Sequence, residues 1–514
     1  MPTTLALVLA LWTAAAHAPG PSSSERSNLE ARRILADAVA AHGGAAGLRA
    51  ARRFTVRQTG LRYQLFQNAD PELPFDGWGL DRTAAVDLDR DRVYGEYRVT
   101  KPRSSYLWWT REFVRDGEGW ELILTKAWAV PMPGPSVSSM RDWTRLLPQS
   151  LLTEALAAGP TLRAEGADVF EGRPQDVVGF TAEGGQRLDL SFDRQTHRLT
   201  KYASLYTRNT IGDTVSEIRF LDYRTQDGIP IPSRFVQYSA GTLATDARYA
   251  NVRLDTPPDD ALFEVPIDFT RLSVYDAKPE VTLLSPGVHF LHGLSGGYNA
   301  LFVELEDSIL VVEACEENTV GSISELAVAL AKKTIPGKPI RYLVLTHHHG
   351  DHSAGARAYM AEGAAIVTTP GNAKYLERLA AAPFRMAPDA LARKPRPPVI
   401  ETLVDRRRTI GTAARRVELY DIGPLPHCRE MIVAYLPNER ILFQSDLFNP
   451  VVPGGPEPIE HDAPFHGIDR GSMAGLLRAI RELRLDVRTI AGSHGRLATF
   501  DELVAAVGET RTAP

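Results

Sequence analysis

The fold of the C-terminal half of the chain is decided by the stretch Arg341-Tyr342-Leu343-Val344-Leu345-Thr346-His347-His348-His349-Gly350-Asp351-His352. Its first residues are typical of a buried strand, and the pattern His-x-His-x-Asp-His follows that strand directly. Imidazole and carboxylate groups are the ligands that hold zinc and similar divalent ions. Burying His347, His349, Asp351 and His352 together without such a partner would be unfavourable, because each group loses its water. The stretch therefore predicts a metal site at the end of a strand.

Strands and helices alternate on both sides of this stretch. A hairpin pattern covers residues 300–313, and a helix pattern follows over residues 322–333. After the motif, a helix pattern over residues 353–362 stops at Gly363, and residues 365–368 are typical of another buried strand. Strands that alternate with helices favour an α/β sandwich whose functional loops lie at strand ends.

The motif and its surrounding strands resemble the metallo-β-lactamase superfamily over about residues 285–500. The resemblance implies an αββα sandwich and further metal ligands, each placed after a later strand. The sequence has a suitable residue at each place: His427 after residues 416–422, Asp446 after residues 440–445, and His494 after residues 487–491. By this resemblance, one ion is held by His347, His349 and His427. The other is held by Asp351, His352 and His494, and Asp446 lies between the two ions.

The same resemblance implies a dinuclear hydrolase. Two ions about 3.5–4 Å apart can share a bridging hydroxide, which would attack the carbonyl carbon of an ester, lactone, thioester or β-lactam. Asp351 would be catalytic as well as a ligand, because it is placed to orient the nucleophile and manage its proton. Imidazole-rich sites favour Zn²⁺, although iron or manganese would suit the same ligands. A mononuclear iron sulfur dioxygenase shares much of the motif and is an alternative. The substrate-binding residues are unknown from the sequence.

The preceding region, residues 29–266, has a different pattern. A helix over residues 29–41 ends at Gly43-Gly44, a helix pattern lies near residues 140–158, and short alternating runs predict a mostly antiparallel sheet. Residues 187–202 predict one of its hairpins. The segment 222–233 and His42-Gly43-Gly44 resemble the outer-membrane lipoprotein-carrier superfamily, which implies an open half-barrel with an apolar face for acyl chains. A purely structural sheet is the alternative, and a lipid- or lipoprotein-binding module with an accessory hydrolase domain is the alternative function.

The remaining segments concern targeting and connections. Residues 5–16 are apolar and lead into Ala16-His17-Ala18, a small-x-small pattern. This predicts a secretory signal peptide over residues 1–18 and a periplasmic or secreted protein, although no Lys or Arg precedes the apolar core. Residues 19–28 are expected to be a mobile start of the mature chain. Residues 267–284 are expected to be a linker, and residues 285–514 the hydrolase domain. No later segment is long and apolar enough to predict a membrane helix.

The composition is that of an ordinary globular protein and does not indicate its function. The small-molecule or lipid-like substrate expected as its partner follows from the motif and the resemblances. The 514 residues are 44% hydrophobic and 24% charged, with a formal net charge of −5, which gives no reason to expect a nucleic-acid partner. Two cysteines exclude a disulfide framework. The oligomeric state is not indicated.

Some residues near the motif have two interpretations each. His348 is expected on the surface or behind the ligands, and Cys428 is expected to be inert although it adjoins His427. Tyr298-Asn299 either faces the site or has only a structural role. His461 and His466 lie in a Pro- and Gly-rich loop that either overhangs the site or is simply solvated.

Overall fold

The structure is a computed structural model that describes residues 22–101, 107–124, 127–132, 134–271, 279–294, 297–316, 322–450 and 470–508. Within these ranges the chain forms an N-terminal sheet domain followed by a C-terminal domain built on two sheets. No helix in the same ranges is long and apolar enough to cross a membrane.

The N-terminal domain combines helices on one side with a large antiparallel sheet. Its helices are α1 (Ser23–Ala41), α2 (Gly44–Ala50), α3 (Gly134–Ser139) and α4 (Pro148–Ala157), with 3₁₀ helices at Met140–Leu146, Gly159–Thr161 and Asp260–Phe263. Its strands are β1 (Arg53–Tyr63), β2 (Gly77–Asp87), β3 (Arg92–Thr100), β4 (Leu107–Arg115), β5 (Glu118–Ile123), β6 (Trp128–Pro131), β7 (Arg163–Phe170), β8 (Arg173–Thr181), β9 (Arg187–Asp193), β10 (Leu199–Arg208), β11 (Gly212–Leu221), β12 (Arg224–Gln226), β13 (Ile229–Ile231), β14 (Arg234–Ser239), β15 (Thr242–Leu254) and β16 (Thr270–Arg271).

The described strands of this domain form a 14-stranded sheet in the order β16-β6-β5-β4-β3-β2-β1-β15-β14-β11-β10-β9-β8-β7, while β12 and β13 pair separately. The pairs are antiparallel except β16 with β6. Apolar side chains of α1 and α4 pack onto the sheet in one core that includes Leu35, Leu151, Phe54 and Phe180. This burial stabilises the contact between helices and sheet.

The structure confirms the predicted sheet and the hairpin of β9 and β10. Two boundaries differ. Helix α1 starts at Ser23, so the expectation of a mobile segment is wrong for residues 23–28; Ser22 and Glu25 form a capping box that begins the helix earlier. The helix predicted near residues 140–158 is a 3₁₀ helix followed by α4, because Pro148 starts a new helix. The predicted signal peptide lies outside the described residues.

The C-terminal domain begins within the predicted linker. Its helices are α5 (Ser322–Thr334), α6 (Gly350–Ser353), α7 (Ala356–Glu362), α8 (Pro370–Ala381), α9 (Ala390–Arg393), α10 (Arg470–Glu482) and α11 (Phe500–Val507). Its strands are β17 (Glu280–Ser285), β18 (Val288–His292), β19 (Ala300–Glu304), β20 (Ile309–Val312), β21 (Ile340–Val344), β22 (Ala365–Thr368), β23 (Val399–Thr402), β24 (Arg407–Gly411), β25 (Arg416–Asp421), β26 (Ile432–Leu436), β27 (Ile441–Gln444), β28 (Thr489–Gly492) and β29 (Ala498–Thr499).

The linker expected at residues 267–284 is therefore wrong where β16 and β17 lie. Strand β16 pairs with β6 of the N-terminal sheet, and β17 pairs with β18 of the C-terminal domain. Residues 272–278 lie outside the described residues. The linker prediction follows from Pro257, Pro258 and Pro266, which mark the end of the sheet domain. These prolines do not exclude short edge strands beyond them.

The predicted αββα sandwich is confirmed. One sheet has the order β17 to β23 and the other β24 to β29, each in chain order. Buried side chains of both sheets meet in a core that includes Leu301, Leu310, Val344, Leu419 and Phe443. Helices α5, α7 and α8 contribute to the core on the outer face of the first sheet, and α10 and α11 do so on the second. The helix predicted over residues 353–362 is divided into α6 and α7.

Candidate metal centre

The predicted ligands lie at the ends of strands along one edge of the sandwich. The His-x-His-x-Asp-His motif follows β21, His427 lies between β25 and β26, Asp446 follows β27, and His494 follows β28. The two sheets meet at this edge, because the backbone N–H of Ile432 donates to the carbonyl oxygen of Thr346 at 2.7 Å. Loops that start from both sheets can therefore share one site.

The structure brings all the sequence-predicted residues together in two overlapping groups. In each group the candidate ligand atoms lie within 4.8 Å of one another. The first group is His347, His349, His427 and Asp446, and the second is Asp351, His352, Asp446 and His494. Asp446 is common to both groups, which is the arrangement expected of a residue between two ions.

The two oxygens of Asp446 face different histidines. Its Oδ2 lies 3.3 Å from Nε2 of His427 and 3.1 Å from Nε2 of His352. Its Oδ1 lies 3.2 Å from Nε2 of His494. The φ angle of Asp446 is 56°, a left-handed conformation that non-glycine residues seldom adopt. The turn after β27 thus holds this carboxylate between the groups at a local conformational cost.

The far side of several imidazole rings is held by oxygen atoms. Nδ1 of His347 lies 3.0 Å from Oγ1 of Thr346, and Nδ1 of His352 lies 3.1 Å from Oγ of Ser445. Nε2 of His349 lies 2.9 Å from the carbonyl oxygen of Asn68, in the N-terminal domain. A carbonyl can only accept, so this Nε2 carries the proton and leaves Nδ1 as the lone-pair atom. Such outer contacts fix the tautomer and ring direction of a metal-binding histidine.

The convergence of lone-pair atoms fits metal ions. Nε2 of His427 lies 3.2 Å from Nε2 of His347, and Nε2 of His494 lies 3.4 Å from Nε2 of His352. Nδ1 of His349 is buried and makes no hydrogen bond within the described part of the chain. A buried nitrogen without a partner is costly, and a cation shared by these nitrogens would satisfy it. The donor set of imidazoles and carboxylates therefore suits divalent ions.

The electrostatics of the site keep the carboxylates charged. Burial opposes ionisation of Asp351 and Asp446, but the neighbouring His352 holds the pKa of both well below the usual range. Burial lowers the pKa of His347 and His349 well below the usual value, so these rings are neutral. Burial lowers the pKa of His352, but the carboxylates of Asp351 and Asp446 outweigh it and raise that pKa well above the usual value, so this ring must lose a proton when it binds metal. A neutral imidazole and an ionised carboxylate are the forms that bind metal.

Glu313 is a buried residue of the site that the sequence interpretation missed. It lies just beyond β20, where its Oε2 accepts a hydrogen bond from Oγ1 of Thr346 at 3.0 Å and lies 3.4 Å from Nδ1 of His352. Its φ angle of 87° is again left-handed. One feature of the sequence could have indicated it: Glu313 is a charged residue that directly follows the apolar run of β20, and β20 pairs with the strand that precedes the motif.

The other residues near the motif have distinct places. Asn299 donates from Nδ2 to the carbonyl oxygens of Gly492 and Gly495 at 3.0 and 2.9 Å, so it supports the turn that carries His494. Tyr298 donates from its hydroxyl to Oδ2 of Asp351 at 3.3 Å, so it faces the site. The surface interpretation of His348 is wrong, because its exposed fraction is 2%. Burial raises the pKa of the Cys428 thiol well above the usual value, in agreement with an inert cysteine. His461 and His466 lie outside the described residues.

Comparison with known proteins gives one family and a set of solved structures. Residues 295–494 match the family described as the Metallo-beta-lactamase superfamily. One similar structure is a metallo-beta-lactamase from Pontibacter korlensis, with 17% identity, a TM-score of 0.33, and coverage of 45% of this chain and 98% of that chain. A second is the metallo-beta-lactamase FIM-1 from Pseudomonas aeruginosa in its mono-zinc form, with 20% identity, a TM-score of 0.34, and coverage of 46% of this chain and 95% of that chain. A third is a metallo-beta-lactamase from Hirschia baltica, with 20% identity, a TM-score of 0.33, and coverage of 45% of this chain and 96% of that chain. No curated protein matches the sequence.

Proposed function

Because residues 295–494 belong to the metallo-β-lactamase superfamily and support a metal-dependent hydrolase, we propose that the protein is an exported dinuclear hydrolase of a carbonyl-type substrate. The proposed bond is that of an ester, lactone, thioester or β-lactam. The observation that carries the proposal is the pair of ligand groups that share Asp446. A single group would fit one ion, whereas two groups with a common carboxylate fit two.

We propose His347, His349 and His427 as ligands of one ion, Asp351, His352 and His494 as ligands of the other, and Asp446 as the ligand common to both. Zinc is the proposed metal, since the histidine-rich donor set favours it. When bound, two such ions supply a hydroxide nucleophile near neutral pH and polarise the carbonyl oxygen under attack.

The protein's own groups orient the reaction and handle its proton. Asp351 is the proposed catalytic group, because its carboxylate is ionised and faces the space between the ligands. Its Oδ2 accepts a hydrogen bond from the Tyr298 hydroxyl, which restricts the rotation of the carboxylate. Cys428 supplies no nucleophile, since its thiol is neutral and buried. The proposed reaction is therefore hydrolysis by water rather than through a covalent acyl-enzyme.

The test is a substrate panel with a short and a long acyl ester, a lactone, a thioester and a β-lactam. Metal removal with a chelator should abolish turnover, and returning Zn²⁺ should restore it. Asp351→Asn should lower kcat by about 10²–10⁴-fold, the usual contribution of a positioned acid or base. The matched control is Asp307→Asn, at an exposed position whose carboxylate pairs with Arg341. Turnover that survives both chelation and Asp351→Asn would contradict the proposal.

Three parts of the proposal depend on separate measurements. Iron at one ion per chain would instead favour the sulfur dioxygenase, and the products of a persulfide substrate would test it. Faster hydrolysis of long than of short acyl esters would support acyl-chain binding by the N-terminal sheet. Export is proposed from the leader alone, and N-terminal sequencing of the mature protein from the periplasm or medium tests it.

A further inference from the structure

A loop of the N-terminal domain reaches the candidate metal centre. Residues 64–76 connect β1 to β2, which pair with Tyr63 opposite Gly77. The loop closes on itself, since the backbone N–H of Gln64 donates to the carbonyl oxygen of Asp76 at 3.4 Å. Inside it, Oδ1 of the buried Asn68 accepts from the backbone N–H of Asp76 at 2.8 Å. The loop therefore has a defined shape of its own.

Four consecutive residues of this loop contact the metal-binding segments. The carbonyl oxygens of Phe66 and Ala69 accept from the backbone N–H groups of Gly350 and Arg429 at 3.0 and 2.9 Å. Nε2 of Gln67 donates to Oδ1 of Asp351 at 2.6 Å. The carbonyl oxygen of Asn68 accepts from Nε2 of His349 at 2.9 Å. The contacts thus reach both the motif and the loop that carries His427.

Charged and aromatic contacts hold the loop in this place. Asp70 makes a two-point ion pair with Arg429 at 2.6 and 2.8 Å, and Glu72 pairs with Arg378 at 2.8 Å. The ring of Phe66 lies 5.7 Å from that of Tyr375. Gly350 packs closely against Thr210, which lies in the turn between β10 and β11. A Cβ atom at position 350 would be only 2.7 Å from Cγ2 of Thr210. Gly350 therefore allows the two domains to meet directly at the motif.

The contact with Gln67 has a chemical consequence for Asp351. An ionised carboxylate only accepts hydrogen bonds, so Gln67 must present its NH₂ group to Oδ1. Oδ2 is then the oxygen that faces the ligand group, where it lies 3.2 Å from Nε2 of His352 and also accepts from the Tyr298 hydroxyl at 3.3 Å. The carbonyl oxygen of the neighbouring Asn68 similarly accepts from Nε2 of His349, which leaves Nδ1 of that ring to face the first ligand group. One loop thus sets the ligand atom of a residue in each group.

We propose that Gln67 is a positioning residue of the metal centre and that the loop of residues 64–76 makes the N-terminal domain an integral part of it. This inference rests on the proposed function, since it concerns the same metal ligands. It assigns the N-terminal domain a role at the catalytic domain's ligands, distinct from delivery of a lipid. The ion bound by Asp351 depends on the Gln67 amide.

The test uses Co²⁺ as the probe on the metal-free full-length protein, because its visible absorption reports the ligand geometry. Gln67→Leu should weaken one of two Co²⁺ ions by about 10–100-fold, the usual effect of removing a group that orients a ligand. It should also change the absorption bands of that ion. Gln67→Met keeps the side-chain length without the donor and should behave in the same way. Gln64→Leu is the matched control in the same loop, because no side-chain hydrogen bond of Gln64 is found among the described residues.

The outcomes separate the two claims. If the wild-type protein binds two Co²⁺ ions and both Gln67 variants keep its affinities and spectrum, the loop only packs and the inference is wrong. If the wild-type protein binds no Co²⁺, the proposed function fails first, and the inference fails with it. Melting temperatures of the metal-free variants should match that of Gln64→Leu. A general loss of stability with unchanged spectra would also overturn the positioning role.

Discussion

The role of Glu313 can be tested through metal affinity. Its side chain is fully buried, and Oε2 lies 3.4 Å from Nδ1 of His352, on the opposite side of the ring from the candidate ion. A carboxylate in this position makes the ring a stronger ligand, because it attracts the Nδ1 proton. Glu313→Gln replaces the carboxyl group with an amide but keeps an oxygen that can accept from the Thr346 hydroxyl. The substitution should therefore affect the ion of His352 more than the ion of His347.

The expected magnitude follows from what such outer groups contribute. Losing one typically weakens metal binding by about 10–100-fold, which is about 1.4–2.7 kcal/mol. The assay is a Zn²⁺ titration of the metal-free protein in competition with a coloured chelator, analysed as two binding steps. One step should weaken by this factor in Glu313→Gln, and the other should be nearly unchanged.

Glu316→Gln is the matched control for this prediction. Glu316 is also a buried carboxylate, and it accepts from the Ser324 hydroxyl at 2.7 Å at the start of α5. Glu316→Gln therefore makes the same carboxyl-to-amide change close to the site, but at the start of a helix rather than beside a candidate ligand. Equal affinities in Glu313→Gln and the wild-type protein, or an equal loss in Glu316→Gln, would refute the reasoning.

Three further predictions concern stability and ligand identity. Burial lowers the pKa of His42 from 6.5 to about 4. The free energy of unfolding should therefore be highest above about pH 6.5 and fall by up to about 3 kcal/mol as the pH drops to 4, because the unfolded chain takes up the proton more readily. Acid-induced unfolding followed by circular dichroism should show a smaller fall in His42→Gln. Arg357→Ala leaves Asp389 buried without its partner and should cost about 3–5 kcal/mol in urea unfolding, whereas Arg341→Ala, at an exposed pair, should cost less than about 1 kcal/mol. Cys428→Ser should keep the full metal content by elemental analysis, because the thiol belongs to neither ligand group; loss of an ion would show that it does.

The C-terminal fold and the grouping of the seven residues could be predicted because the signals are local. Each candidate ligand follows an apolar strand, and the family pattern supplies the order of the strands. His347, His349, Asp351 and His352 even lie in one short segment. The helix pattern over residues 322–333 was similarly close to the observed α5, since its apolar positions repeat at helical spacing.

The remaining features depend on contacts between distant parts of the chain. Gln67 and Asp351 are 284 residues apart, and nothing in the sequence near Gln67 indicates a metal centre. Glu313 lies beside His352 because β20 and β21 pair, which the sequence around Glu313 does not reveal. The short strand β16 was not predicted because its pairing with β6, rather than its own composition, makes it a strand.

The most direct test of the central claim is the metal content of the wild-type protein and of Asp446→Asn by elemental analysis after loading with zinc. Asparagine is preferred to alanine here because it tolerates the left-handed backbone of residue 446 better. The wild-type protein should hold about two ions per chain, and Asp446→Asn should lose at least one. A wild-type protein without metal, or an Asp446→Asn variant that keeps two ions, would contradict a dinuclear centre built on Asp446.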